Sequence, residues 1–214
     1  MPSAREALLD SAHSALSTLP WTAVRMVDVA AAAGVSRQTL YNEFGSKGGL
    51  ARALIRRAAD RYLAGVEEAL GAHRAEAAGP AELARWTVAA ARDDVLVKAL
   101  LTGVWADRLP APEALPSAGP RAGAPLPTPT ELLALVRDRA VAELERGPAP
   151  RTPGELRLAC EIALRLALSY ALVPAEAVDQ CAEPDSCRPI TPMITREIDT
   201  SLRAETTSSR KIIP

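Results

Sequence analysis

One device recurs along this chain and constrains its fold more than any other: a small residue, then proline, then a glutamate two positions further on. It stands at "GPAE" (79–82), "TPTE" (128–131) and "TPGE" (152–155). Each copy supplies an N-cap candidate and a proline at the first helical position, where a missing N–H costs nothing. Its glutamate sits at the third position, where a negative charge suits the positive end of the helix. Ser3 with Glu6 has the spacing of a capping box. Gly71, Gly147 and Pro174 read as stops. The predicted helices span 3–18, 25–33, 36–44, 46–71, 80–103, 129–146, 153–173 and 190–204. No segment alternates with a period of two, and Ala and Leu dominate while aromatic residues are 3%, so the chain reads as all-α. The Pro-rich stretch 107–129 is expected as an irregular loop and the polar stretch 206–214 as a frayed tail.

The second constraint is "GVSRQTLYNEFGSK", residues 34–47. Gly34 supplies a positive φ between two short helices, Val35 can plug the angle between them, and Ser36 can cap the second. In the first helix Met26, Val29, Ala30 and Ala33 share one face. In the second, at about 100° per residue, Leu40 and Phe44 form the buried stripe. Asn42 points directly away from it, with Gln38 and Thr39 to either side and Arg37 and Tyr41 at the border. Amides pair with adenine and Arg with guanine or phosphate, so this face suits base edges in a major groove. A merely solvated polar face is the alternative. Ser46 can cap the next helix. Lys47 in its first turn opposes the helix dipole, and makes sense if a phosphate docks there. Glu43 and the pair Gly48-Gly49 argue the other way.

The charge distribution is weakly consistent with a polyanion partner. Through Arg57 there are seven basic and four acidic residues, and after it 18 and 22, within a net charge of −1.

The text "MVDVAAAAGVSRQTLYNEFGSKGGLARAL" (26–54) resembles the TetR family of bacterial transcriptional regulators. The matching residues are Asp28-Val29-Ala30, Ala33-Gly34-Val35-Ser36, Thr39-Leu40-Tyr41, Phe44, Ser46-Lys47 and Leu50. The resemblance implies a homodimeric regulator, usually a repressor released from its operator by a small-molecule ligand. An N-terminal three-helix helix-turn-helix DNA-binding domain (1–47) would precede a C-terminal helical-bundle domain for ligand binding and dimerisation (48–205). Carried over by position, Arg37, Gln38 and Asn42 would read sequence, while Ser36, Thr39, Tyr41 and Lys47 would hold the backbone. Arg25, where the family commonly has Thr or Ser, can contact a phosphate, and Trp21 would be structural. Gly48-Gly49 departs from the acidic residues common there.

The segment "LRLACEIALRLALSYALV" (156–173) is apolar nearly all round, apart from the strip Arg157, Glu161, Arg165 and Ser169. Such a helix must be covered on more than one side, which suits a homodimer formed through 153–173 and the C-terminal helix. Burial within one subunit is the alternative. An effector pocket is expected between helices 46–71, 80–103 and 129–146, with Tyr62, Trp86, Val97, Leu101, Trp105 and Leu133 as candidate lining residues. Arg92, Asp93 and Asp94 read as a solvated helix face. Cys160, Cys181 and Cys187 have no CxxC or histidine partner at metal spacing. With only His13 and His73 as histidines and no nucleophile paired with a base, no metal, cofactor or enzymatic activity is expected. No apolar run reaches bilayer length, and "MPSAREALLDSA" lacks a signal-peptide layout, so a cytoplasmic protein is expected. The partners are then a palindromic double-stranded DNA operator and an unidentified small-molecule effector. A small-molecule binding or interaction module that has lost tight DNA binding is the competing reading.

Overall fold

The computed structural model describes residues 3–72, 79–112, 125–147 and 152–173. Among them are eight helices and no strand: α1 (Ala4–Thr18), α2 (Met26–Ala32), α3 (Arg37–Phe44), α4 (Lys47–Ala72), α5 (Pro80–Asp93), α6 (Val95–Thr102), α7 (Pro129–Glu145) and α8 (Pro153–Leu172). The all-α expectation holds. The 190–204 helix, the 206–214 tail and the Cys181–Cys187 pair lie outside the described residues, as does most of the Pro-rich stretch.

The helix starts obey the sequence device. Thr152 accepts from the Glu155 backbone N–H while the Glu155 carboxylate accepts from the Thr152 N–H, a complete capping box. Thr128 and Glu131 make the same exchange, at 2.8 and 3.3 Å. Ser3 accepts from the Glu6 N–H at 3.2 Å, and the Glu6 carboxylate meets Arg57 of α4 at 3.4 Å.

The chain divides into two compact units, Met1–Tyr62 with Asp94–Leu132, and Leu63–Asp93 with Leu133–Pro214. In the first, α1, α2 and α3 pack on one another around Leu8, Leu9, Ala12, Val29, Ala30, Leu40, Phe44 and Leu54, all buried. Arg57 ties α4 to α1, reaching Asp10 at 2.6 Å. In the second, α5 and α8 pack on one another along their length. Ala84, Ala163 and Ala167 meet there, and side chains this small let two helices approach closely. Gly65 of α4 follows the same logic, since any Cβ there would run into the Trp86 ring.

The predicted 80–103 helix is two helices. Asp94 leaves the helical conformation (φ −129°, ψ 113°) and caps α6, accepting from the Leu96 N–H at 2.8 Å. A short carboxylate competes with the helix for backbone N–H groups, so it starts a new helix more readily than it continues an old one. The same carboxylate pairs with His13 of α1 at 3.0 Å. Asp94 is therefore a cap and a tertiary contact, and not part of a solvated face.

Burial pushes the Asp94 carboxyl up, but the hydrogen bonds from His13 and from the Leu96 and Val97 backbone outweigh it and hold the group below the usual 3.8. A depressed native value means that charged Asp94 stabilises the fold above pH 3.8, and that this stability is lost as pH falls through the native value. Asp94→Asn keeps a capping oxygen and removes the charge. Its deficit against the wild type should be complete near neutrality and should vanish in strong acid. Asp94→Ala should lose about 1 kcal/mol at neutral pH. Urea unfolding across a pH series measures both.

Candidate nucleic-acid interface

The turn between α2 and α3 closes through two backbone hydrogen bonds, Gly34 N–H to Ala31 at 3.1 Å and Val35 N–H to Ala30 at 3.0 Å. Gly34 adopts a φ of 66°, a left-handed conformation that a Cβ opposes even though nothing crowds the site. Ser36 then caps α3, its Oγ accepting from the Thr39 N–H at 3.0 Å and lying 2.9 Å from the Thr39 hydroxyl. Leu40 and Phe44 are buried, at 0% and 9% exposure. Arg37, Gln38, Tyr41 and Asn42 are exposed and Thr39 is half-buried. The stripe, Gln38 and Asn42 fall where the angular reading put them, whereas Thr39, expected outward, is half-buried and the border residues Arg37 and Tyr41 are exposed.

Several charged side chains are already committed. Arg25 grips Asp28 with two hydrogen bonds, at 2.8 and 3.1 Å. That hydrogen bond raises Arg25 and lowers Asp28, with Arg37 also lowering Asp28 through its charge. Lys47 donates to the Thr22 carbonyl at 3.1 Å and sits 5.3 Å from the centre of the Trp21 ring; partial burial lowers its pKa. It thus pins the start of α4 to the loop after α1, where Trp21, itself buried, donates its backbone N–H to the Arg108 carbonyl at 2.7 Å. Gln38 Nε2 donates to Asn42 Oδ1 at 2.9 Å.

Two features of this face escaped the sequence reading. Glu43 is paired with Arg5, whose Nη1 lies 3.4 Å from its carboxylate, and the same guanidinium stacks 4.7 Å from the Phe44 ring centre. Arg5 therefore offsets the negative charge at the end of α3. Local spacing holds no signal for a contact across 38 residues. Gly49 also has a local cause. The chain turns so tightly between α3 and α4 that a Cβ at 49 would collide with the Phe44 carbonyl oxygen. Ser46 caps α4 there, accepting from the Gly49 N–H at 3.1 Å.

The six candidate effector contacts fall in different units. Tyr62, Val97, Leu101 and Trp105 belong to the first, and Trp86 and Leu133 to the second. Tyr62, Val97 and Leu101 are buried, whereas Trp86, Trp105 and Leu133 are half-buried. The Trp86 indole nitrogen is buried without a hydrogen-bond partner. An open groove of about 240 Å³ in the second unit runs between α5 and α8, lined by Ala84, Arg85, Val88, Ala89, Arg92, Leu166, Ala167 and Tyr170. It includes none of the six. Among the described residues no cluster of three or more His, Cys, Asp and Glu is placed to hold a metal ion. No described helix is long and apolar enough to cross a membrane.

A capped recognition-type helix, anchored by two apolar residues behind a tight turn and showing amides and Arg outward, defines a helix-turn-helix DNA-binding unit. Residues 8–54 match the model of the bacterial regulatory proteins of the tetR family. Along 208 residues the chain is 36% identical to the HTH-type transcriptional regulator AlkX of Mycobacterium tuberculosis, covering 90% of this chain and 85% of that protein. The crystal structure of the TetR family repressor AlkX from Dietzia sp. strain DQ12-45-1b superposes with a TM-score of 0.50 at 24% identity, covering 94% and 96% of the two chains. The chain belongs to the TetR family. It is a DNA-binding transcriptional regulator and not an enzyme.

Ser36→Ala removes the acceptor for the Thr39 N–H, and should destabilise the protein by about 1 kcal/mol, whereas Ser36→Asp should retain most of that stability. Urea unfolding of the two variants checks the cap.

Proposed function

We propose that the protein is a homodimeric repressor that grips a palindromic operator through α3 and leaves it when a small-molecule effector binds. The observation that carries the reading is the outward display of Arg37, Gln38 and Asn42 on a helix whose opposite side is buried. In this reading Gln38 and Asn42 provide base readout and Arg37 takes a guanine or a phosphate. Ser36, Thr39, Tyr41 and Arg25 contact the backbone, and Lys47 adds its charge from a fixed position. Residues 1–47 serve as the DNA-binding domain and 48–205 as the ligand-binding and dimerisation domain, in a cytoplasmic protein.

The dimer reading draws support from α8 and its C-cap, where Leu158, Leu166, Leu172 and Val173 are exposed. Exposed apolar side chains along one helix suit a self-complementary two-fold interface, and a two-fold protein suits a two-fold operator. The effector shifts the population towards a dimer whose recognition helices no longer match successive major grooves. Tyr62, Trp86, Val97, Leu101, Trp105 and Leu133 remain candidate effector contacts, with the α5–α8 groove as a separate candidate.

Selection from random duplex DNA, followed by titration of the winner at several salt concentrations, tests the reading. The expected result is a palindrome bound with a steep fall in affinity as salt rises. Arg37→Ala should make that salt slope shallower by about one if the side chain meets a phosphate. Weak, sequence-blind retention would instead favour a binding or interaction module that no longer grips DNA.

A further inference from the structure

Glu43 stands on a side of α3 that the DNA backbone has to pass. At about 100° per residue, Ser36, Thr39 and Glu43 share one flank of the helix, beside the outward pair Gln38 and Asn42. A helix seated in a major groove about 12 Å wide has a phosphate strand along each flank. In that position the exposed Glu43 carboxylate comes within a Debye length, about 10 Å, of nearby phosphates. The C-terminal end of α3 adds a partial negative charge at the same corner. Without compensation, this corner would repel any duplex.

Arg5 of α1 supplies the compensation. Its Nη1 lies 3.4 Å from the Glu43 carboxylate and 3.5 Å from the Glu43 backbone carbonyl, and its guanidinium sits 4.7 Å from the Phe44 ring centre. These contacts hold one positive charge at the end of the recognition helix. An exposed ion pair of this kind adds little to folding, so its charge matters most where another charge approaches.

We infer that Arg5 is a determinant of DNA affinity that works by cancelling the Glu43 charge on the phosphate-facing flank of α3. The inference rests on DNA binding through α3 and goes beyond it, because it gives a role to a residue of α1 outside the recognition helix. Arg5 acts through Glu43, as a positioning residue, and touches no base. Its effect is therefore the same on every duplex sequence.

The experiment compares full-length wild type, Arg5→Ala, Arg5→Lys, Glu43→Gln and the double variant Arg5→Ala/Glu43→Gln. Each is checked by thermal melting, then titrated against the duplex selected by the wild type and against a scrambled duplex, at three salt concentrations. Arg5→Ala should weaken binding about threefold to tenfold on both duplexes, and Glu43→Gln should strengthen it by a similar factor. The gap between Arg5→Ala and wild type should narrow as salt rises, because a screened charge causes it. Arg5→Lys, which keeps the charge, should stay near the wild type. In the double variant the flank is neutral again, and binding should return to within about twofold of the wild type. A merely structural role would not give that recovery, since Glu43→Gln does not rebuild the contact with Phe44. Glu43→Gln also leaves Arg5 in place, so it reads the same charge even if Arg5→Ala fails to fold.

A folded double variant that stays as weak as Arg5→Ala overturns the inference, for Arg5 then meets a phosphate itself or holds α3 in shape. Unchanged affinity in Glu43→Gln overturns it too. So does a loss in Arg5→Ala confined to the selected duplex, which would mark a part in base readout. In each of these cases the DNA-binding reading stands. A wild type that retains no duplex at all overturns both.

Discussion

An eight-residue helix does not hold its shape alone in water, because nucleating the first turn fixes several backbone dihedrals for very few hydrogen bonds. The α3 helix therefore depends on the burial of Leu40 and Phe44 against α1 and α2. Each such side chain contributes about 1.5–3 kcal/mol when removed from water, enough to outweigh the nucleation penalty. Ser36 fixes where the helix begins, and Arg5 braces its far end over Phe44. With two apolar anchors on one side, the opposite side is free to carry amides that have no structural duty. A helix stabilised by its own propensity would have had to place helix-favouring residues on that face too.

The charges of the first unit are arranged around this face. Arg25 holds Asp28, Arg5 holds Glu43, Arg57 reaches Glu6 and Asp10, and Lys47 bridges to the loop after α1. The exposed pairs, Arg25 with Asp28 and Arg5 with Glu43, contribute little to stability. Their larger effect is on the local field, since two carboxylates that would repel a phosphate backbone are offset by neighbouring guanidinium groups. The second unit uses different means. Ala84, Ala163 and Ala167 bring α5 and α8 close, and the paired Arg137, Asp138, Glu161 and Arg157 span α7 and α8 at its surface. Leu158, Leu166 and Leu172 of α8 remain exposed.

What the sequence determined by itself is local in origin. The capping serines and threonines, the prolines at first helical positions and the glutamates after them act within one turn, so the helix starts were legible without coordinates. Gly34, Leu40, Phe44 and the outward amides follow from helical periodicity and a single turn, and were legible for the same reason. Asp94 was also a local signal, a capping residue between two helical runs, but the strong apolar period on both sides masked it. Only the tertiary structure decided the rest. Arg5 meets Glu43 across 38 residues, His13 meets Asp94 across 81, and Lys47 turns back to Thr22. Such contacts depend on which helices pack together and at what angle. That packing is set by the sum of many small apolar contacts, and no short stretch of sequence carries it.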